Sequence, residues 1–185
     1  MINIDRKAFF DAVRNNPFEG ILSQSQVDGM NAILDVYQRR YPEISKTQLA
    51  YILATDFHET AWTMQPIEEY GKGEGKEYGE PDPETGETYY GRGYVQLTWK
   101  DNYAKAGVEL RIDLVYEPEL ALHPRIAAGV IFSGMMDGWF TGDSLPDHVN
   151  DTQVDYYNAR RVVNGTDRAD EIADYARAFE EALNA

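Results

Sequence analysis

The side chains with the clearest chemical potential lie in two segments of the chain. His58-Glu59-Thr60 places a carboxyl at the end of a predicted helix, and residues 90–98, Tyr-Gly-Arg-Gly-Tyr-Val-Gln-Leu-Thr, combine glycines with aromatic and amide side chains. Glycines let a backbone approach a ligand closely, and an amide both donates and accepts hydrogen bonds. Carboxyl groups facing such a surface are what acid- and base-assisted cleavage of a glycosidic bond requires.

The helix that carries Glu59 is predicted for residues 45–61, with Ser45 as its N-cap. Glu59 lies at the border of its apolar stripe, where partial burial raises the pKa of a carboxyl and helps a general acid to stay protonated. From position alone, an exposed glutamate at a helix end is the alternative. Asp56 falls within the stripe, and Arg160 or Arg161 is its predicted partner unless this end of the helix is open to solvent.

These segments resemble the catalytic core of glycoside hydrolase family 19, the chitinases and their lysozyme-like phage relatives. His58-Glu59-Thr60 resembles the family's His-Glu-Thr, whose glutamate is the general acid, and residues 91–98 resemble its Gly-Arg-Gly-x-x-Gln-Leu-[Ser/Thr]. The resemblance covers roughly residues 45–180. It implies that Thr98 helps to position the attacking water and that Tyr94 stacks on a sugar ring.

The second carboxylate, the general base, is predicted to be Glu69 or Glu68. Pro66 favours an extended backbone here, so these two side chains should point to opposite sides and only one can face Glu59. Phage-type relatives with Met-Gln-Pro-x-x-Glu favour Glu69, which we take as the base, whereas the shorter spacing of other relatives favours Glu68.

The resemblance also implies a set of residues that contact the glycan. An arginine of Arg160-Arg161 is expected to pair with the base and to be buried, while the other arginine lies at the surface. The substrate-binding residues are predicted to be His58, Tyr90, Arg92, Tyr94, Gln96, Trp99, Asn102, Arg161 and Asn164.

The predicted fold is mainly α (α+β, lysozyme-like), a helical bundle around a substrate cleft with one small β-hairpin. The chain, residues 1–185, is predicted to be a single catalytic domain. Residues 71–90 are rich in Gly and Glu and also contain Lys and Pro, and they are predicted to form a flexible loop or hairpin that closes over bound glycan. Residues 124–140 and 151–163 are predicted to be helices.

Composition excludes several classes of protein. The net charge of −15 argues against nucleic acid and anionic membranes as partners, and no segment is apolar enough to insert into a bilayer. The chain lacks cysteine, its three histidines are scattered, and neither a metal nor another cofactor is implied. The N-terminus, Met1 to Lys7, does not resemble a signal peptide, which predicts cytoplasmic synthesis and release to the cell wall by a partner. We expect a monomer.

The predicted function is therefore that of an inverting glycosidase acting on β-1,4 bonds in polymers that contain N-acetylglucosamine. Peptidoglycan is the favoured substrate, because a compact chain without a signal peptide suits an endolysin released by a partner. A toxin delivered between bacteria is a rival that would share the chemistry and differ only in delivery. Chitin is the alternative substrate. A non-catalytic glycan-binding module on the same fold is the alternative from another class.

Overall fold

The computed structural model describes residues 4–185; Met1, Ile2 and Asn3, on which the localisation prediction partly rests, lie outside them. The elements in chain order are α1 (Arg6–Asn15), α2 (Gln24–Arg40), α3 (Lys46–Glu59), β1 (Ile67–Glu68), β2 (Arg92–Gly93), α4 (Lys100–Leu110), α5 (Pro124–Met136), α6 (Leu145–His148), β3 (Val149–Asn150), β4 (Gln153–Val154) and α7 (Ala169–Leu183). Short 3-10 helices span Glu77–Gly79, Pro118–Leu122 and Asn158–Val162. The prediction of a mainly helical, lysozyme-like fold is confirmed.

Helix α3 is the central element of the fold. Ser45 is its N-cap, as predicted, and forms a capping box with Gln48. The Ser45 hydroxyl accepts from the backbone N–H of Gln48, and the Gln48 side-chain oxygen accepts from the backbone N–H of Ser45. Every residue from Gln48 to Phe57 is buried. The helix packs most extensively against α7, while α2 packs against α5. Because α3 is enclosed on nearly all sides, its last turn is held rigidly where Glu59 emerges.

The β structure differs from the prediction of one hairpin within residues 71–90. Strands β1 and β2 pair antiparallel, with Ile67 opposite Gly93 and Glu68 opposite Arg92, so the long loop is closed at its base rather than paired within itself. A second antiparallel pair, β3 with β4, was not predicted. The glycines of the loop favour turns over strands. At Gly79 the backbone also passes so close to Gly73 that a Cβ atom would lie 2.0 Å from the Gly73 carbonyl oxygen.

The helix predicted for residues 151–163 is wrong. The Asn150 side-chain oxygen accepts from the backbone N–H groups of Thr152 and Gln153, which folds a tight turn between β3 and β4. The Asp155 carboxylate then accepts from the N–H of Asn158, the first residue of the 3-10 helix Asn158–Val162. Short polar side chains that bond to nearby backbone therefore compete successfully with the α-helix in this segment.

The helix predicted for residues 124–140 is shorter than expected. It ends at Met136, and the chain reverses at Gly138, which has a φ of 66°. A Cβ atom at Gly138 would lie 3.0 Å from the Gly142 carbonyl oxygen. Both the left-handed backbone and the close approach require glycine here, so the apolar pattern continues beyond the helix without extending it.

Candidate functional site

The candidate active site begins at the last turn of α3. Glu59 Oε1 accepts a hydrogen bond from Arg160 Nη1 at 2.6 Å, and the side chains of these residues are 21% and 4% exposed. Arg160 is held in turn by the Asp167 carbonyl oxygen, to which its Nε donates at 3.1 Å. Within residues 4–185, Glu59 Oε2 has no hydrogen-bond partner, so one oxygen is fixed and the other is free to meet a ligand.

Arg160, rather than Arg161, is the buried arginine of the site. Arg161 is exposed, and its Nε donates to Asn158 Oδ1 at 3.3 Å. The expected pairing of an arginine with the base is not formed: Arg160 reaches the predicted acid, Glu59, instead. The reason is the 3-10 helix Asn158–Val162, which turns the two neighbouring side chains in different directions.

The two candidate bases, Glu68 and Glu69, bond to different partners. Glu68 Oε1 accepts from the Tyr90 hydroxyl at 2.9 Å, and Oε2 pairs with Lys72 Nζ at 3.1 Å. The hydrogen bond from Lys72 and that from Tyr90 lower the pKa of Glu68, whose side chain is 37% exposed. Glu68 is therefore an accessible carboxylate whose surroundings favour the ionised form.

Glu69 is bound within the protein at both carboxylate oxygens. Oε1 accepts from the Tyr78 hydroxyl at 2.9 Å, and Oε2 accepts from the Gly91 backbone N–H at 3.0 Å. The Glu69 N–H also donates to the Gly91 carbonyl oxygen at 2.7 Å. These bonds attach the loop of residues 71–90 to the end of β1, so Glu69 holds the loop and β2 together.

Residues 90–98 form one wall of the candidate site. Several of them support this wall from inside the protein and do not line its surface. Arg92 is buried; its Nη1 donates to the Thr88 carbonyl and the Tyr103 hydroxyl, both at 3.0 Å, and its guanidinium lies 3.6 Å from the centre of the Tyr90 ring. Tyr94 is only 1% exposed. The predicted stacking of Tyr94 on a sugar is therefore wrong, because the core around α3 covers its ring.

Other predicted residues are more accessible. Gln96 is half-buried, and its Nε2 donates to the Ile67 carbonyl at 3.1 Å, which ties the wall to β1. The Thr98 hydroxyl donates to the Gln96 carbonyl at 2.7 Å, and Asn102 Nδ2 donates to the Thr98 carbonyl at 2.8 Å. Trp99 is 47% exposed. Gln96, Thr98 and Trp99 are thus at least partly accessible to solvent, unlike Arg92 and Tyr94.

Two further predicted residues are His58, which precedes the acid in α3, and Asn164, which follows the 3-10 helix that carries Arg160. His58 is partly buried, and this burial lowers the pKa of its imidazole, so it is neutral at physiological pH. Asn164 is exposed, and its Oδ1 accepts from the Gly165 N–H at 2.9 Å.

A pocket of about 270 Å³ adjoins the loop, between residues 77–83 and Trp99. The Tyr78 and Trp99 rings meet edge to face at 5.1 Å, and Lys100 pairs with Asp82 and Glu84. The hydrogen bond from Lys100 lowers the pKa of Asp82 to about 2. The sequence analysis did not single out Tyr78 or Lys100 as site residues. For Tyr78, the signal that was available is an aromatic side chain within a largely polar loop.

Asp56 lacks the arginine partner predicted for it. The residue is fully buried, and neither carboxylate oxygen has a hydrogen-bond partner among the described residues. Its neighbour Thr60 donates instead to the Asp56 backbone carbonyl at 2.7 Å. Burial raises the pKa of Asp56 well above its usual value of 3.8, and burial is also the main cause of the raised pKa of Tyr94. Arg160 is unavailable to Asp56 because it pairs with Glu59.

Asp56→Asn should raise the melting temperature at pH 7 and leave it nearly unchanged below about pH 4. The folded state favours the neutral carboxyl, whereas the unfolded chain ionises near the ordinary pKa. The wild-type protein therefore loses stability as the pH rises from the ordinary aspartate pKa towards the raised pKa of Asp56 in the folded state. The asparagine variant has no carboxyl to ionise at this position and avoids this loss. Thermal unfolding across a pH series measures the effect, with the exposed Asp28→Asn as control. A lower melting temperature at every pH would contradict the assignment of a neutral Asp56.

The described part of the chain shows neither a metal centre nor a membrane span. Within residues 4–185, no three His, Asp or Glu side chains are grouped as metal ligands would be. In the same range, no helix has the length and apolar character needed to cross a bilayer.

The chain is similar to several proteins named as chitinases. The family model of glycoside hydrolase family 19, described as chitinase class I, matches residues 45–168. Chitinase 3 of Oryza sativa subsp. japonica is 32% identical over 133 residues, covering 64% of this chain and 41% of that protein. An endochitinase of Arabidopsis thaliana is 30% identical over 132 residues, covering 68% of this chain and 45% of that protein. The inactive chitinase-like protein 1 of Hevea brasiliensis is 29% identical over 110 residues, covering 52% of this chain and 34% of that protein.

The fold resembles that of solved bacterial chitinases. Chitinase C from Streptomyces griseus HUT6037 superimposes with a TM-score of 0.67 and 22% sequence identity, covering 98% of this chain and 77% of that chain. The chain spans less than half the length of the curated relatives named above. The matched region nevertheless contains Glu59, both candidate bases and residues 90–98. The chain therefore belongs to glycoside hydrolase family 19.

Proposed function

We propose that this protein is an inverting glycosidase that cleaves β-1,4 bonds between N-acetylglucosamine units, with chitin as its substrate. The proposal depends on the surroundings of Glu59. Its carboxyl is partly buried, one oxygen accepts a hydrogen bond from Arg160, and the other oxygen has no partner within the described residues. The bond from Arg160 fixes the orientation of the Glu59 carboxyl, and the unbound oxygen is the one that a substrate can reach. The relatives named chitinases favour chitin over the peptidoglycan expected from the sequence.

In the proposed mechanism, Glu59 donates its proton from Oε2 to the glycosidic oxygen. A carboxylate on the opposite side of the sugar removes a proton from water, which attacks the anomeric carbon and inverts its configuration. Inversion needs room for this water, with the carboxyls roughly 6.5–9.5 Å apart. Thr98, which is half-buried beside Gln96, is the proposed hydroxyl that helps to orient the water.

We assign the base to Glu68, which replaces the preference for Glu69 drawn from the sequence. A base has to be ionised and accessible to water, and Glu68 has both a lowered pKa and an exposed carboxylate. Its partner Lys72 is 61% exposed and can yield to a water molecule. Both oxygens of Glu69 are bound as well, but its partners are the Tyr78 hydroxyl and the Gly91 backbone N–H, which anchor the loop, so we assign Glu69 a role in positioning the loop.

The substrate experiment compares hexa-N-acetylchitohexaose, colloidal chitin and purified peptidoglycan sacculi. We expect soluble reducing ends from the two chitin substrates, and NMR of the first products should show the α-anomer because a β bond is cleaved with inversion. Cleavage of sacculi without cleavage of chitin would restore the peptidoglycan hypothesis. Binding of the hexamer without cleavage would identify a non-catalytic module; one relative of this chain, from Hevea brasiliensis, is named an inactive chitinase-like protein. Release by a partner and the monomeric state stay predictions.

A further inference from the structure

Arg92 carries a buried positive charge, and all of its hydrogen-bond partners are uncharged. Its Nη1 donates to the Thr88 carbonyl and the Tyr103 hydroxyl at 3.0 Å, and to the Tyr90 carbonyl at 3.4 Å. Within residues 4–185, its Nε has no hydrogen-bond partner and its guanidinium forms no ion pair. A buried charge without a counter-ion destabilises the fold, so this arginine calls for a function.

Tyr90 connects this buried cation to Glu68. The Arg92 guanidinium lies 3.6 Å from the centre of the Tyr90 ring, and the hydroxyl of the same ring donates to Glu68 Oε1 at 2.9 Å. The backbone brings the three residues together, because the register of β1 and β2 sets Glu68 opposite Arg92 and Tyr90 precedes Arg92 by two residues. The tyrosine thus links an arginine and a carboxylate that do not touch each other directly.

Tyr90 is itself held in place by the packing around it. The residue is buried, and its carbonyl accepts a hydrogen bond from the hydroxyl of fully buried Tyr103 at 2.8 Å. The cation on the ring face is attracted to the π electrons of Tyr90, and this contact polarises the hydroxyl towards its acceptor. The Tyr90 hydroxyl therefore reaches Glu68 from a fixed position.

The other partner of Glu68 is mobile by comparison. The titratable and charged groups that face Glu68 are Lys72 of the loop, Tyr90 and Arg92 at β2, and Tyr103 of α4. Hydrogen bonds from Lys72 and Tyr90 lower the pKa of Glu68, and the Arg92 charge adds to this effect. Lys72 is 61% exposed, and an exposed ion pair does little to hold a side chain in one orientation. The orientation of Glu68 thus depends on Tyr90.

We infer that Tyr90 and Arg92 are positioning residues for the general base: Arg92 holds the Tyr90 ring, and the Tyr90 hydroxyl fixes the Glu68 carboxylate. This inference rests on the proposed function, in which Glu68 is the base. Tyr90 occupies Oε1, so Oε2, whose partner Lys72 is exposed, takes the proton from water. A direct ion pair with arginine is often bidentate and would occupy both carboxylate oxygens, whereas the intervening tyrosine occupies only one.

The first test is Tyr90→Phe, which removes the hydroxyl and keeps the ring on Arg92. On the N-acetylglucosamine hexamer, kcat should fall about tenfold and KM should change less than about twofold, because the base loses its orientation while the glycan contacts remain. The acidic limb of kcat/KM should move up towards the ordinary glutamate pKa of 4.5, since ionised Glu68 loses a donor. Lys72→Met should move this limb in the same direction with a smaller loss of kcat. An equal or larger loss of kcat in Lys72→Met would overturn the positioning role of Tyr90.

The matched control is Tyr37→Phe, the same change at a buried tyrosine of α2 whose hydroxyl donates to the Ile44 carbonyl at 3.0 Å. It should keep the wild-type kcat and pH profile, and a loss shared with Tyr90→Phe would overturn the inference. Arg92→Met, where it folds, should reproduce both effects of Tyr90→Phe. Wild-type kinetics in folded Arg92→Met would remove Arg92 from the arrangement, and if this variant does not fold, Tyr90→Phe alone decides.

A second measurement needs no substrate. Titration of the Glu68 carboxyl by carbon-13 NMR should give a lower pKa in the wild-type protein than in Tyr90→Phe, because the hydroxyl stabilises the ionised form. An unchanged Glu68 titration in folded Tyr90→Phe would overturn the inference. If the wild-type protein cleaves neither the hexamer nor colloidal chitin, the proposed function itself fails, and this outcome is distinct because the titration is made without glycan.

Discussion

Replacement of Glu59 by glutamine should lower kcat on chitin oligosaccharides by roughly 10²–10⁴-fold, the usual contribution of general acid catalysis. The amide oxygen can still accept the hydrogen bond from Arg160, so the side chain keeps its place. It has no acidic proton to give to the leaving oxygen. Reducing-end release from the hexamer at saturating concentration measures the loss.

Two controls accompany the Glu59→Gln measurement. Circular dichroism and thermal unfolding should show a folded protein, because the amide oxygen still accepts the hydrogen bond from buried Arg160. Glu109→Gln, at an exposed position on α4, should keep wild-type activity. Near-wild-type turnover in folded Glu59→Gln would remove Glu59 from the mechanism.

Glu68→Gln should reduce kcat by a similar factor of roughly 10²–10⁴, whereas Glu69→Gln should cost much less. The glutamine at position 68 cannot take a proton from water. At position 69, an amide oxygen can still accept one of the bonds from Tyr78 and Gly91, so the loop is loosened but the base remains. The pair forms its own matched control, since both residues are neighbours at the end of β1 and undergo the same change.

The pH dependence of kcat/KM separates these two assignments further. The lowered pKa of Glu68 places the acidic limb of wild-type activity below the ordinary glutamate pKa of 4.5, because the base must be ionised. Glu69→Gln should keep this limb, and Glu68→Gln should abolish it. If Glu69→Gln is the inactive variant and Glu68→Gln is active, the base lies one residue further along, and the role of Glu59 is unaffected.

Local sequence signals determined the framework of this protein. The Ser45 cap and the apolar stripe predicted α3 and its end near Glu59, because capping and helical periodicity depend on residues a few positions apart. The His-Glu-Thr and residues 91–98 identified the family, since the match is specific over contiguous residues. Where nearby polar side chains redirected the backbone, as at Asn150 and Asp155, the helical pattern was misleading.

Only the tertiary structure decided which side chains meet. Arg160 contacts Glu59 across a separation of 101 residues, and no spacing in the sequence distinguishes it from Arg161. Tyr94 is covered by the core, and Asp56 is buried without its expected partner, since burial depends on the packing of distant elements. The different partners of Glu68 and Glu69 likewise follow from the pairing of β1 with β2. The sequence thus determined the chemical groups present, and long-range packing decided their orientation, exposure and charge partners.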